Sequence, residues 1–280
     1  MNQPVELEQA FVKNLAIPPR PQVVSMLFEE MSRDEPDLRR VAKVISADVG
    51  IAGAMLKTVN SSAFGLSRKA TSVAQAIDLL GMRNVSGIAT GLAIRHSISG
   101  AANAALDRFW DSAEKTAIIS AHLARVLREV PADEAYTLGL FHDCGIPLLL
   151  RQFPAYKETL ARANRSAERS FTQTEEAEVG THHAAVGYFL ARSWHLSEPL
   201  SMAILRHHDI EAFADASVPG AVRSFIGIIH LAEHIQHLMM RSTVDVEWVK
   251  FEAVVLRHFS LGEEDFINLV DGAQESLQAE

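Results

Sequence analysis

Cysteine is almost absent from this sequence, and long apolar runs are absent too. The 280 residues include one cysteine, Cys144, which excludes an intrachain disulfide and fits a reducing compartment. Histidines and charged residues interrupt the most apolar stretches, 135–150 and 225–240, so neither reaches the roughly 20 clean apolar residues of a membrane span. The first ten residues lack the basic start and apolar run of a signal peptide. We therefore expect a cytoplasmic protein.

Basic residues are in the minority. The chain has 26 Lys and Arg against 35 Asp and Glu, which gives a formal net charge of -9, and no extended basic run interrupts it. An acidic surface repels phosphate groups, so the composition disfavours nucleic acid and anionic membranes as partners. The hydrophobic content of 48% is that of an ordinary globular chain, long enough for one large domain or two small ones.

Alternating apolar and polar residues, the pattern of strands, are also scarce. Apolar residues instead recur three and four positions apart, as in Val23, Leu27 and Met31, which places them on one helix face. Polar residues at suitable places predict where helices start. Asp48 is expected to cap a helix over 49–59, and Ser72 with Gln75 to cap one over 73–80. The pattern predicts an all-α fold.

Further cap and loop signals divide the chain. Thr172 with Glu175 predicts another helix start, and Ser197 is expected to cap a helix with Pro199 in its first turn. A small-residue stretch at 99–105 predicts a boundary between a part covering 1–104 and a part covering 105–280. Beyond it, residues 106–130 are predicted to form one long amphipathic helix.

Histidine is frequent, with twelve residues, and its clustering is informative. Three clusters lie on successive predicted helices: His142–Asp143, His182–His183 and His207–His208–Asp209. Imidazole and carboxylate groups contributed by several helices are what a divalent metal requires in the middle of a helical bundle. An adjacent His–Asp pair is also commonly a hydrogen-bonded pair without a metal, and both interpretations stand at this stage.

Several short segments, taken in order, resemble the HDOD family, the HD-related output domains of bacterial signalling proteins. The segment Gly139–Gly145 is similar to the signature of the HD superfamily of metal-dependent phosphohydrolases. The other matching segments are Ile17–Pro21, Ile45–Asp48, Val59–Gly65, Gln75–Gly81, Gly180–His183, Val186–Gly187 and Ile204–His208. The resemblance covers roughly 11–209. It implies an HD-domain, phosphodiesterase-like helical bundle over 105–280, with an N-terminal helical subdomain over 1–104.

The resemblance also implies a set of metal ligands. HD enzymes hold their metal with an early His, the His–Asp pair and a late Asp, and HD-GYP relatives add histidines for a second metal. The corresponding candidate ligands, active or vestigial, are His142, Asp143, His183, His207, His208 and Glu233. The expected cofactor is a divalent cation (manganese, iron, magnesium, zinc or nickel) at a partial site, with no catalytic residue assigned.

Three positions depart from the pattern that the resemblance implies. Ser112 occupies the place of the early His, and its neutral hydroxyl is a poor ligand for a divalent cation. Glu233 replaces the late Asp with a side chain one methylene longer. Ile146 or Pro147 stands where HD-GYP enzymes carry a Lys, and neither can hold a phosphate. These departures favour a degenerate site.

Three other features admit two interpretations each. Residues Asn60–Gly65 form either a binding loop or a polar turn that ends a helix, and the turn is favoured. The stripe His230–His234–His237 either chelates zinc or forms a half-buried helix face, which is favoured. Cys144 is either a nucleophile or a buried structural thiol, and the adjacent Asp143 disfavours its thiolate.

Three functional hypotheses follow. The first is a bacterial signalling output or scaffold protein with a degenerate HD metal site, which binds signalling proteins in trans and leaves a homodimer open. The second is a metal-dependent phosphohydrolase acting on a nucleotide or cyclic dinucleotide. The third is a nucleotide sensor that keeps the pocket without the chemistry.

Overall fold

The computed structural model describes residues 19–99, 104–240 and 244–278. Every regular element within these ranges is helical, so the predicted all-α fold is confirmed. In this part of the chain, no helix is both long enough and apolar enough to cross a membrane. The first ten residues and most of the boundary stretch predicted at 99–105 lie outside the described residues.

The helices follow one another closely and are numbered here in chain order. They are α1 (Gln22–Met31), α2 (Leu38–Ser46), α3 (Val49–Val59), α4 (Val73–Leu80), α5 (Met82–Ser99), α6 (Ala104–Leu127), α7 (Ala132–Phe141), α8 (Gly145–Gln152), α9 (Tyr156–Ala163), α10 (Phe171–Val179), α11 (His183–Ser193), α12 (Glu198–Arg206), α13 (Gly220–Met240), α14 (Val246–His258) and α15 (Glu263–Gln278). Two 3₁₀ turns lie at Ser62–Phe64 and Ile210–Phe213.

Several helix ends agree with the caps that the sequence predicts. The Asp48 carboxylate accepts a hydrogen bond from the Ile51 N–H (3.0 Å) at the start of α3. The Ser72 hydroxyl accepts one from the Gln75 N–H (3.1 Å) at the start of α4, and Gly81, with a φ of 84°, follows the last residue of that helix. The helix predicted over 106–130 is shorter: α6 ends at Leu127, because Arg128 adopts a φ of 60°.

One predicted cap is wrong. The helix that carries Glu175 begins at Phe171, and its capping box is formed by Ser170 and Gln173. Glu175 therefore takes no part in this cap, and its side chain is fully buried.

The helices form two compact units. One, the N-terminal unit, comprises Pro19–Leu140 together with α15; the other, the central unit, comprises Phe141–Gly262. The boundary at 104/105 that the sequence predicts is a different division and stays a prediction.

The N-terminal unit is built around α5 and α6. Helix α5 packs against α1, α3 and α4, while α6 packs against α15 and the 3₁₀ turn at Ser62–Phe64. Trp110, Tyr136, Met55 and Ile88 are buried in its core. Before that turn, the Asn60 side chain bonds both backbone groups of Ala70. These local bonds support the structural interpretation of 60–65.

The central unit positions the histidine clusters. Helix α11 packs against α8 and α12, α12 packs against α13, and α13 packs against α14. Trp194 and Phe141 meet edge to face in its core, with ring centroids 6.3 Å apart. Each of these helices presents one end or one face to the same interior region.

Candidate metal centre

All six candidate ligands lie in the central unit, and the fold brings them together. His142 and Asp143 occupy the tight turn between α7 and α8. His183 is the first residue of α11, His207 and His208 follow the end of α12, and Glu233 lies on α13. Helix ends and turns supply most of the donors, so their side chains are held by short, hydrogen-bonded backbone segments.

The donor atoms form two groups that share one carboxylate. Asp143, His183, His207 and His208 make up the first group, and His142, Asp143 and Glu233 the second; within each group the donor atoms lie within 4.8 Å of one another. In the first group, Asp143 Oδ1 lies 3.1 Å from His183 Nε2 and 3.6 Å from His207 Nε2.

The second group lies on the other oxygen of the same carboxylate. His142 Nε2 is 3.5 Å from Asp143 Oδ2 and 3.2 Å from Glu233 Oε1. Glu233, the candidate for the late acidic ligand, thus lies within hydrogen-bonding distance of His142 despite its longer side chain.

Gly145 allows the His–Asp turn to approach α11. A Cβ atom placed on Gly145 would overlap the His183 carbonyl group, with the carbonyl carbon only 2.8 Å away. Any side chain at this position would push the turn and α11 apart. The glycine is thus required by close packing beside the candidate site.

Outer partners orient the three imidazoles of the first group. His183 Nδ1 lies 2.7 Å from Glu175 Oε2, His208 Nδ1 lies 2.7 Å from Glu247 Oε1, and His207 Nδ1 donates to the Ile204 carbonyl at 2.8 Å. Since an oxygen acceptor requires an N–H donor, Nδ1 carries a proton in each ring. This leaves Nε2 as the atom available to a ligand, which is the arrangement found around metal-bound histidines.

The two carboxylates in this outer layer are themselves anchored. The Tyr156 hydroxyl donates to Glu175, and the Lys250 ammonium donates to Glu247 (3.0 Å) and to the Arg169 carbonyl (2.9 Å). Further support comes from His230, whose Nε2 donates to the His207 carbonyl (2.6 Å).

Burial and charge together set the protonation of the cluster. Burial lowers the pKa of His142, but the carboxylates of Asp143 and Glu233 raise it more, and the pKa ends well above its usual range. Burial likewise lowers the pKa of His183, yet Glu175 and Asp143 raise it to about 10. Both rings are therefore imidazolium ions at neutral pH without a metal.

The remaining groups respond to those two charges. Burial raises the pKa of Asp143, but His142 and His183 lower it to well below its usual range, so it is ionised. Burial and the nearby imidazolium ions lower the pKa of His207, and burial and His207 lower that of His208. His183 can thus donate from Nε2 to the neutral His207 Nε2, 3.2 Å away.

The cluster is closed on its histidine side and more open on its carboxylate side. The side chains of His183 and His207 are fully buried, and that of His142 is 4% exposed. The side chains of Asp143 and Glu233 are 26% and 36% exposed. Of the six candidate ligands, the solvent-facing ones are therefore both anionic.

Other residues considered from the sequence have different roles. Ser112 is exposed on α6 of the N-terminal unit. His182 caps α11 by accepting from the Ala185 N–H (3.2 Å), and burial and His183 lower its pKa to about 4, so it remains a neutral acceptor. Cys144 is fully buried, and burial and Asp143 raise its pKa, which supports the structural interpretation.

Histidines of the stripe on α13 contact other side chains of the same unit. His230 stacks on Phe251, with ring centroids 3.7 Å apart, and His234 bonds Asp245 (3.0 Å) while stacking on Trp248. These contacts support the half-buried face over the zinc chelate.

Two acidic residues of the site escaped sequence reasoning. Glu175 is one of three glutamates on α10 and Glu247 one of two on α14, and acidic residues on helices mostly face solvent. The only sequence signal that associates Glu175 with the site is its position eight residues before His183. Nothing in the sequence links Glu247 to His208, which is 39 positions away.

Residues 17–210 match the family model of the HDOD domain, which is more than half of the chain. The chain belongs to the HDOD family. Among curated proteins, it is 26% identical over 196 residues to an uncharacterized protein of Treponema pallidum, and it spans 38% of that protein. It is also 39% identical over 59 residues to YuxH of Bacillus subtilis, of which it spans 14%. The chain thus covers less than half the length of either relative.

Solved structures agree on the HDOD fold. An HDOD domain protein from Geobacter sulfurreducens has a TM-score of 0.69 at 22% identity, with 99% of this chain and 95% of that one covered. A protein from Shewanella amazonensis, provisionally described as a metal-dependent phosphohydrolase, has a TM-score of 0.69 at 18% identity, with 99% of both chains covered.

The donor set fits a divalent metal. It combines imidazole nitrogens, whose outer atoms are already bonded, with the ionised carboxylate of Asp143. Two Nε2 atoms that face each other at 3.2 Å share a single proton, and a cation between such atoms would satisfy both lone pairs. Nitrogen-rich donor sets suit zinc, iron or nickel better than magnesium or calcium.

Proposed function

We propose that this HDOD protein is a bacterial signalling output protein that binds a divalent metal in its central unit and acts through protein–protein contacts. The observation that carries the proposal is the anionic, solvent-facing side of the cluster. Asp143 and Glu233 are its most exposed members, so a divalent cation bound there would have its charge balanced by these two carboxylates and would leave no net positive charge for a phosphate ester.

The positions after the His–Asp turn support the same view. Pro147, or Ile146 if the register slips, matches the position where HD-GYP enzymes carry a Lys, and both are buried residues of α8. In the central unit, the Lys250 ammonium donates to Glu247 and to the Arg169 carbonyl, so its positive charge is already paired with a carboxylate. Substrate phosphate therefore has no matching cation at these positions, whereas metal binding needs none.

Metal content and turnover, measured together, test this proposal. Protein loaded with zinc, iron or manganese should retain close to a stoichiometric amount of metal after desalting, and His142→Ala should retain less. Neither protein should hydrolyse phosphomonoesters or phosphodiesters above the metal-only background. Hydrolysis by the loaded protein that disappears in His142→Ala would contradict the proposed role.

The interaction part needs its own experiment. Immobilised full-length protein should retain specific partners from a bacterial lysate that a bait of matched size and charge does not retain. Those partners should then bind the purified protein directly, with a measurable Kd. Failure to obtain a directly binding partner would count against the signalling role, whatever the metal content.

A metal-dependent phosphohydrolase is the second candidate, and the shared carboxylate favours it. Two donor groups that meet at Asp143 would suit two cations, with His183, His207 and His208 on one side and His142 and Glu233 on the other. Divalent metals supply Lewis acidity toward phosphate oxygens. The chain's own part would be to hold and orient these donors through Glu175 and Glu247 and to exclude water from the histidine side.

A further inference from the structure

The N-terminal unit contains a separate cleft of about 1010 Å³. It lies between the start of α1, the end of α2, the start of α3 and the end of α5. Its volume is at the upper end of the range for small-molecule sites. All of its lining residues belong to the N-terminal unit, so the cleft is independent of the histidine cluster described above.

The floor of the cleft is apolar. Val44, Ile51 and Ala93 contribute buried surface, and Met26 is 37% exposed, which is a large exposure for methionine. Apolar side chains at the bottom of a concave surface favour a ligand with an apolar body, because its burial removes water from both surfaces. Methionine adapts to ligands of different shape.

The rim of the cleft is cationic, although the chain as a whole is acidic. Arg20, Arg40 and Lys43 line it, against one carboxylate, Asp48. Asp48 already accepts the Ile51 N–H in capping α3. The rim thus has an excess of positive charge on a chain whose formal net charge is -9.

The rim cations differ in how far they are already paired. Arg40 Nε is 3.1 Å from the buried Glu30 carboxylate, and Arg20 Nε donates to the Ser25 hydroxyl at 2.9 Å, a neutral partner. The Lys43 side chain is exposed and forms no ion pair or hydrogen bond with the described residues. Lys43, and Arg20 through its two terminal nitrogens, can therefore still bind an anion.

We propose that this cleft binds a small organic anion that has an apolar body and a carboxylate, sulfonate or phosphate end. The apolar floor would hold the body, and Lys43 with Arg20 would hold the anionic end. This role does not depend on a metal in the central unit.

The test uses two fluorescent probes that differ only by one sulfonate group. Anilinonaphthalene sulfonate is apolar with one anionic group, and phenylnaphthylamine is its neutral analogue. Wild-type protein should bind the anionic dye more tightly, and added salt should reduce that preference.

Charge reversal on the rim provides the decisive comparison. Lys43→Glu should weaken the anionic dye about tenfold, because an attraction is exchanged for a repulsion, and should leave the neutral dye unchanged. Lys69→Glu, an exposed residue outside the cleft, changes the net charge equally and should have less than about a twofold effect. Met26→Gln should weaken both dyes.

Two results would overturn the proposal. If Lys43→Glu and Lys69→Glu weaken the anionic dye equally, overall charge rather than the rim governs binding. If Met26→Gln alters neither dye, the dyes bind elsewhere. All three substitutions are at exposed positions, and circular dichroism would verify that each variant is folded.

Discussion

Replacing Glu175 with glutamine tests whether the outer layer of the cluster prepares it for a metal. The two Glu175 oxygens are both used: one accepts from Tyr156 and the other bonds His183 Nδ1 at 2.7 Å. Glutamine has nearly the same size but offers one acceptor oxygen and one donor nitrogen. If the glutamine oxygen stays on His183 Nδ1, its NH2 group faces the His183 backbone N–H, which donates to Glu175 at 3.4 Å, so at least one hydrogen bond is lost. The negative charge behind the His183 ring is lost as well.

The size of the effect follows from the role of such partners. Removing a carboxylate behind a metal-ligating histidine weakens metal binding about 10- to 100-fold, which corresponds to about 1.4 to 2.7 kcal/mol. Because Glu175 is fully buried, we expect the upper half of that range. Isothermal titration of zinc into chelator-treated protein measures the change directly.

The matched control lies on the same helix. Glu178 is exposed and bonds Arg162 Nε at 2.7 Å. Glu178→Gln should leave zinc affinity unchanged within about twofold, since the charge removed is solvated. Equal zinc affinities for Glu175→Gln and Glu178→Gln, with both variants folded in chelator, would refute the reasoning about the outer layer.

Further predictions concern the ring charges, the tight turn and the thiol. The pKa values of His142 and His183 are raised, so a metal must displace a proton from each ring before it binds. Zinc affinity should therefore rise with pH, by about tenfold per pH unit for each proton displaced. A zinc Kd that does not change between about pH 6 and 8 would contradict this. Gly145→Ala should lower the free energy of unfolding by about 2 kcal/mol or more, because its Cβ overlaps the His183 carbonyl, and it should also weaken zinc binding. Denaturant unfolding and zinc titration would measure the two effects, and wild-type values in both would rule out the close approach. Cys144 should resist iodoacetamide in the folded protein and react once unfolded, because burial and Asp143 raise its pKa; rapid native labelling by mass spectrometry would contradict the buried site.

The inner residues of the cluster could be predicted because their signal is local. His142–Asp143, His183 and His207–His208 stand at the ends of segments with clear helical periodicity, and an order of short motifs links them to HDOD proteins. Helix starts such as Asp48 and Ser72 were predictable for the same reason, since a cap depends on residues within one turn.

The outer residues could not be predicted, because their partners are distant in sequence. Glu247 meets His208 across 39 positions, and no local pattern distinguishes it from a surface carboxylate. Glu175 was misassigned to a helix cap for the same reason: a capping pattern is common, and only the packing of α10 shows that Ser170 fills the role. The relation of two donor groups through one carboxylate is likewise a product of tertiary structure.

That relation has a consequence for measuring occupancy. Because the two oxygens of Asp143 face different donor groups, filling one group changes the charge felt by the other, and the two cannot be titrated as independent sites. A metal-binding curve should therefore deviate from the shape expected for two independent sites. Asp143→Asn removes the carboxylate that both groups share, so it should weaken metal binding at both groups rather than halve the number of metal ions bound.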